Sequence, residues 1–213
     1  NYFDTGPLSA ADLSRLGATR AINLYFGLGD AEAATAVLDS VDVPGLPDDL
    51  RDWLKIVRTT LEAQHRHVAA VLESTYQPVV PRLSIHMRHT RALCLLHAGR
   101  YREAEEEIAG YEAEAQALSD ELPTLYHGAL RMRCYALAFG GHLAEAESLA
   151  LKLHHTLFDE SAFTGMTTLY GLLSFCARMR GHGSQALRLA REGSPKTSDS
   201  PLVFDAIGLA STA

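Results

Sequence analysis

"HAGRYREAEEEIAG", residues 97–110, sets Gly99, Tyr101 and Ala104 at fixed offsets directly after a leucine-rich run. The fold turns on whether this arrangement occurs once or recurs. Aligned on the small residue, five copies stand out: "GDAEAA" ending at Ala34, "QHRHVA" at Ala69, "GRYREA" at Ala104, "GHLAEA" at Ala146 and "GHGSQA" at Ala186. The intervals are 35, 35, 42 and 40 residues. A period in this range without strand signals indicates stacked pairs of helices.

Each copy follows a helical run, such as "HMRHTRALCLL" or "ALRMRCYALAF", and precedes a second one, such as "AEEEIAGYEAEAQAL" or "AEAESLALKLHH". The pattern therefore predicts helix pairs over residues 9–43, 48–77, 80–118, 122–157 and 160–193, and one more helix over 199–211. Gly29, Gly99, Gly141 and Gly181 fall where a turn between two helices needs positive φ, which glycine adopts cheaply. The alanines let the paired helices approach closely. Copy two carries Gln64 in the glycine position, so residues 48–75 also read as one long helix. Ser9 and Asp12 form a capping-box pattern, Pro44 and Pro47 precede a helix start, and "YQPVVPRL" and "EGSPKTSDSP" read as connections. The expected fold is all-α, a superhelix of about five antiparallel helix pairs plus a C-terminal helix, in a single domain spanning 1–213.

Composition narrows the function classes. The chain has 213 residues, 47% of them hydrophobic, and 8 prolines, the profile of a folded protein. A formal charge of -7 gives no reason to expect nucleic-acid contact, so any basic site must be local. Cys94, Cys134 and Cys176 are odd in number, form no CxxC pair and recur near the repeat period, which fits small core residues in a reducing, cytoplasmic setting. Apolar stretches such as "ALCLL" fall far short of the roughly 20 residues of a spanning helix. With neither an initial methionine nor a signal-peptide pattern, the chain reads as a segment of a longer protein.

Copies three and four, "AxxLxxxGRYREA" from Ala92 to Ala104 and "CxxLxxxGHLAEA" from Cys134 to Ala146, resemble the tetratricopeptide repeat, with copies one and five degenerate and copy two weak. The likeness covers residues 9–193; it lacks the family's tryptophan, and its repeats exceed the usual 34 residues. Long, irregular repeats rich in Ala, Leu, Arg and Gly are similar to the sensor region of bacterial regulators of the LuxR and maltose-regulator type. In those proteins it lies between a nucleotide-binding module and a helix-turn-helix. The resemblance implies a non-catalytic module for protein or ligand binding. A free-standing adaptor or a homodimerising scaffold, joined through its array ends, is the other reading.

No P-loop, GxSxG, HExxH or Rossmann fingerprint is present, and "GLGD" at 27–30 follows a helix, as a repeat turn would. His65 and His67, and His86 and His89, put imidazoles close together but lack a third ligand at a suggestive spacing, so no metal or other cofactor and no enzyme activity are expected. His154 and His155 cannot both face one side of a helix. The acidic run Glu103–Glu114 reads as a solvated outer face.

In tetratricopeptide arrays the first helix of each pair lines a concave groove. Carried across copy by copy, its offsets select Asn23, Arg51, Arg58, His86, His89, His97, Arg131, Tyr135, Phe175 and Arg178. Arginines, histidines and aromatics in an otherwise acidic chain imply a locally basic groove for an acidic peptide, a partner protein or an anionic small molecule.

Overall fold

The computed structural model describes residues 8–64, 68–120, 123–159 and 163–193; the expected helix over 199–211 and the pair His65 and His67 lie outside them. Among the described residues there are ten α-helices and no strand. They are α1 (Ala10–Leu28), α2 (Ala31–Val41), α3 (Asp48–Gln64), α4 (Val68–Glu73), α5 (Ser84–His97), α6 (Tyr101–Ala117), α7 (Pro123–Phe139), α8 (Leu143–Asp159), α9 (Phe163–Met179) and α10 (Gly183–Gly193), with one 3-10 turn at Pro81–Leu83. The pairs α1/α2, α5/α6, α7/α8 and α9/α10 coincide with copies one, three, four and five. In copy two, α3 and α4 flank residues 65–67, which lie outside the described set.

The recurring spacing has a hydrogen-bond cause. Gly29, Gly99, Gly141 and Gly181 all adopt the left-handed conformation, with φ of 68°, 73°, 93° and 81°. In the last three turns, the N–H of the following residue donates to the carbonyl five back: Arg100 to Leu95 at 2.9 Å, His142 to Leu137 at 2.8 Å and His182 to Ala177 at 2.9 Å. That is the closing bond of a Schellman motif. The same residue then opens the next helix, since its carbonyl accepts from the amide four residues on, at Ala104, Ala146 and Ala186. One residue thus ends one helix and starts the next. The alanine five positions after the glycine is the first residue held by an intrahelical bond, and Ala34, Ala104, Ala146 and Ala186 are all buried. Ala69, aligned with them in copy two, is exposed.

The chain divides into two compact units, residues 1–90 and 91–213, with the boundary inside α5. In the first unit α1 and α2 pack antiparallel: the buried Ser14 hydroxyl, near the start of α1, donates to the carbonyl of Val41 at the end of α2, 2.9 Å away. Their approach is so close that a Cβ on Gly17 would come within 2.7 Å of the Val41 methyl groups. Leu46, Leu54, Val57 and Leu61 complete a core around Ala18, Ala21, Ala34 and Leu38. α3 also carries a buried carboxylate. Asp52 accepts a short hydrogen bond from the Tyr76 hydroxyl and a 2.8 Å bond from the Val80 amide, and so fastens the connection after α4. Lys55 places its ammonium 3.7 Å from the centre of the Tyr76 ring.

The second unit repeats one packing scheme. α6 buries Ala104, Ile108, Tyr111 and Ala115, and α8 buries Ala146, Ala150, Leu153 and Leu157; both sets advance by steps of three and four. These steps place each set on one helical stripe. The Ser174 hydroxyl of α9 donates to the Ala186 carbonyl of α10 at 2.8 Å, an antiparallel contact across the Gly181 turn. The acidic run on α6 is more than a solvated face. Glu112 holds Arg133 of α7 at 2.9 Å, Glu105 lies 3.9 Å from the same guanidinium, and Glu107 lies 3.7 Å from Arg91 of α5.

Candidate binding site

The ten groove positions divide between the units. In the first, Asn23 is exposed on α1. Arg51 is occupied locally, donating to Asp48 at 3.1 Å and to the Leu46 carbonyl at 2.8 Å. Arg58 reaches across to Asp39 of α2 at 2.7 Å. Both cations are neutralised within the unit. His86 stands edge-on to Trp53, ring centroids 5.3 Å apart, and burial pushes its pKa down, so its neutral form is favoured. His89 is partly buried one turn further along. The positive charge expected along this stretch is therefore largely cancelled or not carried.

In the second unit, Arg131, Tyr135 and Phe139 lie at steps of four along one face of α7. Tyr135 is buried, and its hydroxyl donates to the Thr168 carbonyl of α9 at 2.8 Å. It acts as a tie between α7 and α9. Phe139 joins three rings: Tyr135 with centroids 5.9 Å apart, Phe175 of α9 at 5.1 Å and Tyr101 of α6 at 5.6 Å. His97 and Phe175 are partly buried, and Arg178 is exposed near the end of α9.

Arg131 differs from its neighbours. It is partly buried, and among the described residues it makes no hydrogen bond or ion pair. Burial holds its guanidinium below the usual arginine range, with Tyr135 and Cys134 opposing that shift. Arg133, two residues on, is held by Glu112 at 2.9 Å, with Glu105 further off at 3.9 Å. Two residues were missed by offset reasoning although signals existed. Phe139 occupies the position before its turn glycine that His97 occupies in copy three. Trp53, the one tryptophan in the sequence, lies on a first helix.

The cysteines show no sign of nucleophilic chemistry. Cys94, Cys134 and Cys176 are buried, and burial pushes their thiols up to about 11, about 12 and about 11. Among the described residues no three His, Cys, Asp or Glu side chains are grouped to hold a metal ion, and no helix is long and apolar enough to cross a membrane. An open hollow bounded by Ser184, Leu187, Arg188, Arg191 and Glu192 involves α10 alone, so no second element converges on it.

Fold and site together define an all-α protein of packed helix pairs. Family models, curated proteins and solved structures offer no match to this chain. The described helices are compatible with a helical repeat fold.

Proposed function

We propose that the chain is a non-catalytic binding module of stacked helix pairs, the sensor or interaction region of a larger bacterial transcriptional regulator acting in the cytoplasm. The observation that carries the binding reading is the α7/α9 face, where a regular scaffold presents a partly buried arginine, without an ion pair among the described residues, beside a linked set of aromatic rings. Such a scaffold positions side chains without arranging an acid, a base and a nucleophile around one point. The regulator reading draws on the irregular, long repeats, whose type resembles that of regulator sensor regions.

The test is the full reading frame that contains this segment. A nucleotide-binding module before it and a helix-turn-helix after it support a regulator's sensor. Neighbours of neither kind remove that role and leave a free-standing adaptor or a homodimerising scaffold, to be followed by partner capture and by mass measurement across concentration.

A further inference from the structure

Several partly buried arginines among the described residues are matched by acids, and Arg131 contrasts with them. Arg58, Arg91 and Arg133, all partly buried, each face a carboxylate, at 2.7, 3.7 and 2.9 Å. Arg20, Arg82 and Arg191 form no ion pair among the described residues, but they are exposed, and water solvates them. Among the described residues Arg131 meets no carboxylate, and it is not fully exposed. A cation removed from water without a counter-charge is costly, and the cost is relieved when an anion joins it.

We propose that Arg131 is the anchor of an oxyanion site on the α7/α9 face of the second unit, a carboxylate or phosphate group of the ligand supplying the missing counter-charge. This deepens the binding-module reading and rests on it. A guanidinium offers a planar pair of N–H donors to two oxygens of such a group, and partial burial strengthens the attraction relative to open water. Rigidity comes from the rest of the face. Tyr135, one turn on, is fixed by its bond to Thr168 and holds α9 against α7. Phe139, about 12 Å along the helix from Arg131 at 1.5 Å per residue, and its neighbour Phe175 supply apolar surface for the body of a ligand whose acidic end lies at Arg131.

The test titrates the full chain and its Arg131→Gln variant with inorganic phosphate, citrate and a glutamate-rich octapeptide at low ionic strength, reading affinity by calorimetry. At least one probe binds the unaltered protein, and Arg131→Gln weakens it by roughly tenfold or more, the scale of a lost charge-assisted pair. Arg191→Gln, at an exposed site, leaves affinity unchanged. Should Arg131→Gln not fold, Arg131→Lys carries the comparison, since it keeps the charge but loses the planar fork, and a severalfold loss is expected. Binding of phosphate or citrate identifies a free small anion as the source of the group, and binding of the peptide alone identifies an acidic side chain. Equal affinities for the unaltered and Arg131→Gln proteins, or no binding of any probe, overturn the site. Undiminished capture of a cellular partner by Arg131→Gln would then show that the module binds elsewhere, so the two readings fail separately.

Discussion

From Gly99 onward, each described turn between paired helices is built the same way, with a left-handed glycine, a shared residue that closes one helix and opens the next, and a buried alanine five positions after the glycine. Before Thr90 that scheme appears once among the described residues, at Gly29. In copy two Ala69 is exposed, and the buried Asp52 fastens the connection after α4. Regular stacking lets local sequence specify packing, because the turn fixes how two helices meet. Where copy two departs from the motif, a particular tertiary contact, from Asp52 to Tyr76 and Val80, holds the following connection.

The largest effect should come from that contact. Asp52→Ala strips two hydrogen bonds from a buried carboxylate site and leaves the Tyr76 hydroxyl and the Val80 amide unpartnered, at a cost of about 3 kcal/mol. The emission of Trp53, the only tryptophan in the sequence, reports on this unit, and its denaturation midpoint should fall accordingly.

A contact of this kind is invisible in the sequence, whereas the turns are not. The glycine and alanine positions were legible because their spacing is set by backbone hydrogen bonds within a few residues. The capping of α1 by Ser9, whose side chain accepts from the Asp12 amide at 3.1 Å, was legible for the same reason. Asp52 and Tyr76 are 24 residues apart, and Arg58 and Asp39 are 19 apart, so no local rule pairs them. The groove offsets select residues on the first helix of each pair, yet offsets ignore what each side chain meets. Tyr135 became a tie between helices, and Arg51 and Arg58 were taken up by aspartates.

A second experiment sets the two regions against each other at aligned positions. Ala146→Leu forces a larger side chain into a closed helix interface and should cost about 1–3 kcal/mol in chemical denaturation. Ala69→Leu, at the exposed counterpart, should change stability by under about 0.5 kcal/mol. Equal costs would erase the distinction between the regions.

A smaller effect is expected at the turn itself. Gly141→Ala places a Cβ at φ of 93° with nothing nearby to clash, so the cost is conformational, about 1 kcal/mol by thermal melt.

The smallest concerns His86. Burial lowers its folded pKa below 6.5, so the unfolded chain binds the proton more readily. The stability it contributes is present above pH 6.5 and is lost as pH falls through the folded pKa. Trp53 melts between pH 7.5 and 5 should show this decline, and His86→Phe should flatten it.

One residue after each turn glycine joins two helices, and amide hydrogen exchange reads that junction most directly. At Arg100, His142 and His182, and at Ala104, Ala146 and Ala186, the amides should exchange far more slowly than in an unstructured peptide. Free-peptide rates at those six amides, beside protected flanking helices, would contradict the shared-residue turn.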